Sequence, residues 1–358
     1  MKGGVLIAGF STRHVAQSAF QAGYEVCTVD HFSDQDLAWY TKDREKFEDL
    51  ADLPGAIECI CKRNSFDFFV PTSGAEDLVI PLPRYGTLPE IITPFLDKLD
   101  TQHFFQENDI PVPRILPENL FPAMVKPCRG AGGWRNAIIK NESAMAAWTS
   151  LYPGIPYLRQ EVIEGTPASV CCVATGNDAM AIAANGQILR GKGESAYGFS
   201  GSITPFSHPA LNRMIALAER IAALSGCCGT IGIDFVVSNE IPFAIEVNPR
   251  FQGTVDTVEM AYGCNLFDYH VGACAGSLPT TKPSFRKFAV RSILFAERDL
   301  TIRADLKHLK NFVADIPWPD TFFEEEQAIV SVYGWGETRD TALNMLDKHI
   351  TTVRQYMR

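Results

Sequence analysis

In the stretch AIEVNPRFQG, residues 244–253, three polar side chains of different chemistry recur at every second position: Glu246, Asn248 and Arg250. Side chains alternate across a β-strand, so these three share one face while Ile245 and Val247 take the other. Pro249 has no N–H and suits a strand leaving its hydrogen-bond ladder. The preceding GTIGIDFVVSNEIP reads as the other arm of a hairpin whose reversal is centred near Glu240, which brings Asp234 opposite or next to Glu246. Two carboxylates side by side in an apolar sheet repel each other and call for a positive charge between them. With the neutral oxygen of Asn248 they form a hard, incomplete oxygen shell, suited to Mg2+ or Mn2+ that completes its coordination with water and phosphate. The alternatives are that one acid pairs with Arg250 or is protonated, and that the face is only a solvated one.

Two further segments have chemistry to offer. In VKPCRGAGG, Lys126 ends an apolar strand and is followed by Gly130, Gly132 and Gly133. Glycines let backbone N–H groups close over an anion, and the lysine supplies a point charge for phosphate oxygens. No Gly-Lys-Ser/Thr follows, so the segment is not a Walker loop. In YLRQEVIEG, Gln160, Glu161 and Glu164 stand among apolar neighbours. Such a strand can present backbone edge groups and side-chain acceptors to a purine, or be an ordinary sheet edge.

Taken in order, Lys98 of the DK pair, VKPCRGAGG, RQEVIEG, GIDFVV and IEVNPR resemble the ATP-grasp superfamily of carboxylate–amine ligases, in the style of the carbamoyl-phosphate synthase large subunit and biotin carboxylase. The resemblance implies that Lys98 and Lys126 contact the phosphates of ATP, with Gly130, Gly132 and Gly133 folding over them. It implies that the strand from Gln160 to Ile163 meets adenine, partly through the backbone of Glu161 and Ile163, and that Glu164 reaches the ribose. Asp234, Glu246 and Asn248 would surround one or two Mg2+ ions, with Asp234 standing where many members carry glutamate. Arg250 would stabilise charge on the transferring phosphoryl group or the acyl intermediate. The implied activity is attack of a small-molecule carboxylate on Mg-ATP to give an acyl phosphate and ADP, followed by displacement of phosphate by an amine or thiol. A carboxylase, a phosphotransferase and a non-catalytic ATP sensor share the same core; a sensor has no need of the full set of lysines, acids and Arg250. No biotinylation-like AMKM occurs in the chain.

These groups need elements to hold them. GGVLIAGFSTRHVAQSAFQAGYEVCTVD reads as strand, turn, helix and strand, a βαβ unit opening a parallel sheet, with Asp30 ending its second strand. Only Gly9 stands where a dinucleotide fingerprint needs three glycines, which disfavours a nicotinamide enzyme. The expected architecture is an open parallel α/β unit over residues 1–95 and an ATP-grasp core of two α+β subdomains over 96–275, with a small lid subdomain at about 115–165. Strands and a helix over 276–358 complete it. A helix is expected from about Pro94 to Glu107, and glycine-bearing loops at 130–133 and 191–201 are candidate lids. Ligands of open α/β sheets gather at strand carboxyl ends, so specificity is expected in a crevice lined by Arg13, Glu76, Arg190, Ser200 and Gly201.

Composition narrows the partners. The 358 residues carry a net charge of −10 with acids and bases interspersed, and no basic block that tracks a phosphate backbone. No apolar run approaches the ~20 residues of a membrane span, and the amino terminus lacks a signal-peptide pattern. The expectation is a cytoplasmic enzyme with small-molecule partners, no nucleic acid, no membrane, and a homodimer by resemblance. The ten cysteines show no C-x-x-C spacing and read as small core residues.

Overall fold

Short apolar runs ending in glycine or a polar residue make the first sheet. The computed structural model describes residues 2–130, 132–191 and 196–357. β1 (Gly4–Gly9), β2 (Glu25–Asp30), β3 (Asp43–Lys46) and β4 (Phe68–Pro71) form a parallel sheet in the order β3-β2-β1-β4. Helix α1 (Arg13–Gln21) makes the first crossover and α2 (Leu53–Arg63) the second long one. The Phe10 N–H donates to the Ser73 carbonyl at 2.6 Å, so the loops following β1 and β4 adjoin at the carboxyl edge.

The link into the next region differs from the helix expected from Pro94. A short helix α3 (Pro89–Ile92) and a 3-10 turn precede α4 (Lys98–Glu107). Pro94 sits in the turn, and α4 starts only where the Asp97 side chain accepts the Leu99 N–H at 2.9 Å. Lys98 therefore occupies the first turn of a helix. A three-stranded antiparallel sheet follows: β5 (Ala123–Pro127) lies between β6 (Ala137–Ile139) and β7 (Tyr157–Glu161). Helix α5 (Glu142–Leu151) packs Trp148 against Val125 and Ile139.

The largest sheet is antiparallel and runs β12-β11-β8-β9-β10-β13-β17-β15. Its first five strands are β8 (Thr166–Thr175), β9 (Ala179–Leu189), β10 (Phe199–Thr204), β11 (Cys228–Ser238) and β12 (Ile241–Asn248). Helix α6 (Leu211–Leu224) covers one face through Met214, Ala218 and Ile221. The other face lies under α7 (Val255–Tyr262) and α8 (Leu266–Cys274), and Val15 and Ala19 of α1 join that core. Cys171 and Cys172 fall in these two separate cores, as alternation along a strand requires. All ten cysteines are free.

The carboxyl-terminal residues extend this sheet. β13 (Phe288–Phe295), β15 (Val313–Ala314) and β17 (Ala328–Gly336) add to its edge beneath α9 (Arg339–Arg354), and β14 (Leu300–Ile302) pairs with β16 (Thr321–Phe323) in a ribbon. Among the described residues no helix is long and apolar enough to cross a membrane.

Arg13 ties these parts together and lies in a second cavity, beside Asp36, Tyr40 and Asp256, apart from the β11–β12 hairpin. It is 2% exposed, and its Nη1 and Nη2 grip both oxygens of Asp256 at 3.0 and 2.6 Å. Its Nε donates to Asp315 at 2.8 Å, and Gln17 and Tyr333 take the remaining donors. The carboxylate that its fork grips is supplied by the protein's own α7. Burial opposes ionisation of Asp315, yet Arg13 and Arg291 hold its carboxyl well below the usual range. Arg13→Met strands two buried carboxylates and is expected to cost about 3–5 kcal/mol in urea denaturation. Arg13→Lys is expected to recover only part of that loss, because one ammonium cannot replace the fork.

Candidate active site

The β11–β12 hairpin reverses through Asn239 and Glu240, with φ of 45° and 61°, between the paired residues Ser238 and Ile241. This two-residue turn fits the right-handed twist of its strands. It sets Asp234 directly opposite Glu246, and a bulge follows between Asp234 and Phe235. The side chains converge on Asp234: Oδ1 accepts from Gln187 Nε2 at 2.9 Å and from Gln252 Nε2 at 3.0 Å, and Oδ2 accepts from Asn248 Nδ2 at 3.1 Å. Gly232 makes room for this, since a Cβ there would lie 1.7 Å from the Gln252 side chain.

Arg250 is braced on the same face. Its Nε donates to Glu76 Oε1 at 2.6 Å, Nη1 to the Phe251 carbonyl at 3.1 Å and Nη2 to Asn248 Oδ1 at 3.3 Å. Glu76 comes from the loop after β4, so this ion pair joins the first sheet to the site. Across the cleft, Lys126 and Met124 of β5 and Leu158 and Gln160 of β7 present one face of the small sheet. Lys98 Nζ donates to the Gly130 carbonyl at 2.6 Å. Gly133 packs so tightly on the second loop that a Cβ would lie 2.4 Å from the Tyr197 carbonyl oxygen.

The cleft holds about 380 Å³ and is lined by Lys98, Lys126, Asp234, Glu246, Asn248 and Arg250 together. Its electrostatics are unbalanced on both sides. Burial, and then the Glu246 charge, push the Asp234 carboxyl up to about 7 against the hydrogen bonds of Asn248 and Gln187. Burial lowers the Lys126 ammonium to about 8, with Glu246 pulling it up and Lys98 pushing it further down. Each wall carries like charges facing an opening, an arrangement that a bound cation on one side and a bound polyanion on the other would relieve.

Several expected residues fall elsewhere. Gly132, Gly133, Gln160 and Ile163 line the cleft, whereas Gly130, Glu161 and Glu164 do not. The Glu161 carboxylate pairs with Arg114 at 2.7 Å, and its N–H donates to the Arg114 carbonyl at 2.9 Å. Glu164 is exposed. Of the crevice candidates, Glu76 is occupied by Arg250, and its other oxygen accepts the Gly74 N–H at 2.6 Å. Arg190 stacks on Phe295 at 4.1 Å and lies 3.9 Å from Glu326, outside the cleft. Ser200 and Gly201 belong to β10; a Cβ at Gly201 would sit 2.1 Å from the Arg291 carbonyl oxygen, so that glycine serves strand packing. Residues 192–195 of the second expected lid and Ala131 of the first lie outside the described residues.

Gln187 and Gln252 were not foreseen. Gln252 continues the alternation of Asn248 and Arg250, a signal present in the sequence. Gln187 reaches Asp234 from β9, across β8, and no local pattern announces that neighbour.

Residues 95–254 match the family profile described as ATP-grasp domain. This segment, a little under half of the chain, resembles an ATP-grasp domain. Over 356 residues it is 24% identical to an uncharacterized protein of Methanocaldococcus jannaschii, covering 91% of this chain and 87% of that one. Over 163 residues it is 28% identical to the carbamoyl phosphate synthase large chain of a Thermoanaerobacter species, covering 44% of this chain and only 15% of the relative's length. Among solved structures it resembles the biotin carboxylase domain of Hydrogenobacter thermophilus 2-oxoglutarate carboxylase, a dimer in complex with MgADP, ADP and bicarbonate. The TM-score is 0.76 at 14% identity over 98% of this chain and 89% of that one. It also resembles the L-amino acid ligase of Bacillus licheniformis, with a TM-score of 0.74 at 14% identity over 97% of each chain. The mixed α/β architecture and its parallel first sheet agree with the fold the sequence led us to expect.

The raised Asp234 carboxyl makes the protein's stability depend on pH. The folded group holds its proton to about 7, whereas an unfolded aspartate releases it near ~3.9. The native state binds the extra proton between those values, so its contribution to stability falls as pH rises through that window. Thermal melting in metal-free buffer is therefore expected to show wild type losing stability relative to Asp234→Asn from pH 5 to pH 7.5. Parallel curves for the two proteins would contradict the assignment.

Proposed function

We propose that the protein is an ATP-dependent ligase that activates a small-molecule carboxylate as an acyl phosphate and passes the acyl group to an amine or thiol. The observation that carries this reading is the meeting of Lys98 and Lys126 with the facing acids Asp234 and Glu246, and with Arg250, in one cleft of about 380 Å³. Asp234 and Glu246 offer hard oxygens, and the strain on Asp234 is of the kind a divalent cation relieves, so Mg2+ or Mn2+ fits this donor set. Asn248 now turns its NH2 to Asp234, and a half-turn of the amide would bring its oxygen to the same place. When bound, the ion neutralises charge on the phosphates.

The remaining groups divide the work. Lys126, lowered to about 8, is still mostly protonated at neutral pH and faces the cleft as a cation. With Lys98 it binds and orients the phosphates, while Arg250, held by Glu76 and Asn248, meets the charge that develops at the reacting end. A substrate carboxylate oxygen attacks the γ-phosphorus, the bond to the bridging oxygen breaks, and ADP leaves. The lone pair of the amine then attacks the acyl carbon, the bond to the phosphate oxygen breaks, and the ammonium proton passes to phosphate or solvent. No protein nucleophile is needed. The contact of Gly133 with Tyr197 helps to keep water from an acyl phosphate.

A carboxylase reading, with bicarbonate as the activated carboxylate, is favoured by the likeness to the Hydrogenobacter domain. The same likeness supports a homodimer as the assembly. ADP release from Mg-ATP, measured against amino acids, small carboxylates and bicarbonate with and without amines, separates the readings. Stimulation that requires both carboxylate and amine is expected, and Glu246→Gln is expected to reduce it about 100-fold or more. Undiminished turnover in that variant would refute the metal assignment, and stimulation by bicarbonate alone would favour carboxylation.

A further inference from the structure

Beyond Gln187 the large sheet meets the cleft with hydrocarbon. On β9, Gln187 turns toward Asp234, and Leu189, the next residue but one, takes the same face. Ile188 between them packs with Ile203 against the carboxyl-terminal core. On β10, Ser202 pairs with Gln187 and meets Thr257 of α7 at 3.1 Å, so unbroken alternation would put Ser200 opposite Leu189. The strand does otherwise. Gly201 pairs with Ile188 and Phe199 with Leu189, which leaves Ser200 as an extra residue in a bulge. A bulge re-aims the side chains beside it, and this one carries Phe199 onto the face that Ser200 would have taken. Phe199 and Leu189 both line the cleft, and both are only partly buried.

The segment after β12 completes a seat around that ring. A Cβ at Gly253 would lie 3.3 Å from Phe199 Cε1 and 3.6 Å from Arg291 Nη1, so the glycine lets the ring approach the backbone. Arg250, Gly253 and Thr254 line the same cleft, which sets the ring beside the segment that carries Arg250. The guanidinium next to it is already paired. Arg291 Nη1 donates to the Gly253 carbonyl at 2.6 Å, Nη2 to Asp315 at 2.9 Å and Nε to Ser331 at 2.9 Å.

We infer that Phe199 and Leu189 seat the side group of the carboxylate substrate and that this group is apolar. The inference rests on the ligase reading given above and narrows its substrate to monocarboxylates that carry a hydrocarbon group. Contact with a ring and a leucine favours such a group in proportion to the area it removes from water. A second carboxylate in the same place gives up its hydration and gains no partner from Arg291. Bicarbonate has no side group and leaves the seat empty. Phe199 is thus a specificity-determining residue, brought to its post by one extra residue in β10.

Hydroxamate formation by the full chain with Mg-ATP and hydroxylamine tests this on matched acids. The hydroxylamine nitrogen attacks the acyl carbon, phosphate leaves, and the ammonium proton passes to solvent, so the readout needs no knowledge of the natural amine. Isocaproate against succinate, and leucine against aspartate, exchange an isopropyl group for a carboxylate on the same chain. Wild type is expected to favour the apolar acid by about tenfold or more in kcat/KM. Phe199→Gln should narrow that ratio to within about threefold, through a higher KM for the apolar acid. Equal rates or a preference for the dicarboxylate in wild type, or ADP release stimulated by bicarbonate alone, would overturn the proposal and leave carboxylate activation intact. That comparison needs no variant. An unchanged ratio in a folded Phe199→Gln protein would overturn the role of Phe199. Silence from every acid would overturn the ligase reading together with this one.

Discussion

The buried charge knot at Asp315 holds the working parts in register. Asp315, in a left-handed conformation with φ of 55°, accepts Arg13 from α1 on one oxygen and Arg291 from β13 on the other at 2.9 Å. Arg291 in turn donates to the Gly253 carbonyl at 2.6 Å, and Arg13 grips Asp256 at the start of α7. The segment leaving β12, which carries Asn248, Arg250 and Gln252, is thereby fixed at its far end. Buried ion pairs of this kind add little net stability over an apolar core, but they punish misplacement heavily. The parallel sheet, the antiparallel sheet and the segment that leaves the reactive strand can meet in few other ways.

That rigidity makes the cleft's unfavourable charges tolerable. Asp234 and Glu246 oppose each other across a hairpin whose register a two-residue turn determines, and Lys126 is buried at 8% exposure near Lys98. Neither arrangement would persist on a mobile loop, where like charges separate into water. Preorganised polar groups of this sort do their electrostatic work without reorganising when a ligand arrives. Glu76 extends the same logic by steering Arg250 from a different sheet.

The amides around Asp234 are arranged so that its buried carboxylate oxygens find donors. Gln187, Gln252 and Asn248 all direct NH2 groups at Asp234, whereas Gln160 directs its NH2 away from the cleft, toward Gln102. One wall therefore surrounds its acid with donors, and the opposite wall leaves a buried amide oxygen without one. That polarity is set by the Asp234 carboxylate in the cleft in one case and by the Pro113 carbonyl behind Gln102 in the other.

Much of the site was legible in the sequence because it depends on periodicity. Alternation along 246–250, a short hairpin turn and a lysine at a strand end place Glu246, Asn248, Arg250, Asp234 and Lys126 with local rules alone. The first βαβ unit and the opposed cysteines were legible for the same reason. Boundaries governed by caps were less so, as Asp97 shows by starting a helix after Pro94 and not at it. What only the tertiary structure decided was the partnership of distant charges. Arg13, Glu76 and Arg190 read as free ligands, yet Arg13 is spent on Asp256 and Asp315, Glu76 on Arg250, and Arg190 on Phe295 and Glu326. Chain periodicity fixes which way a side chain points, but whether an opposite charge already waits there depends on residues up to 302 positions away.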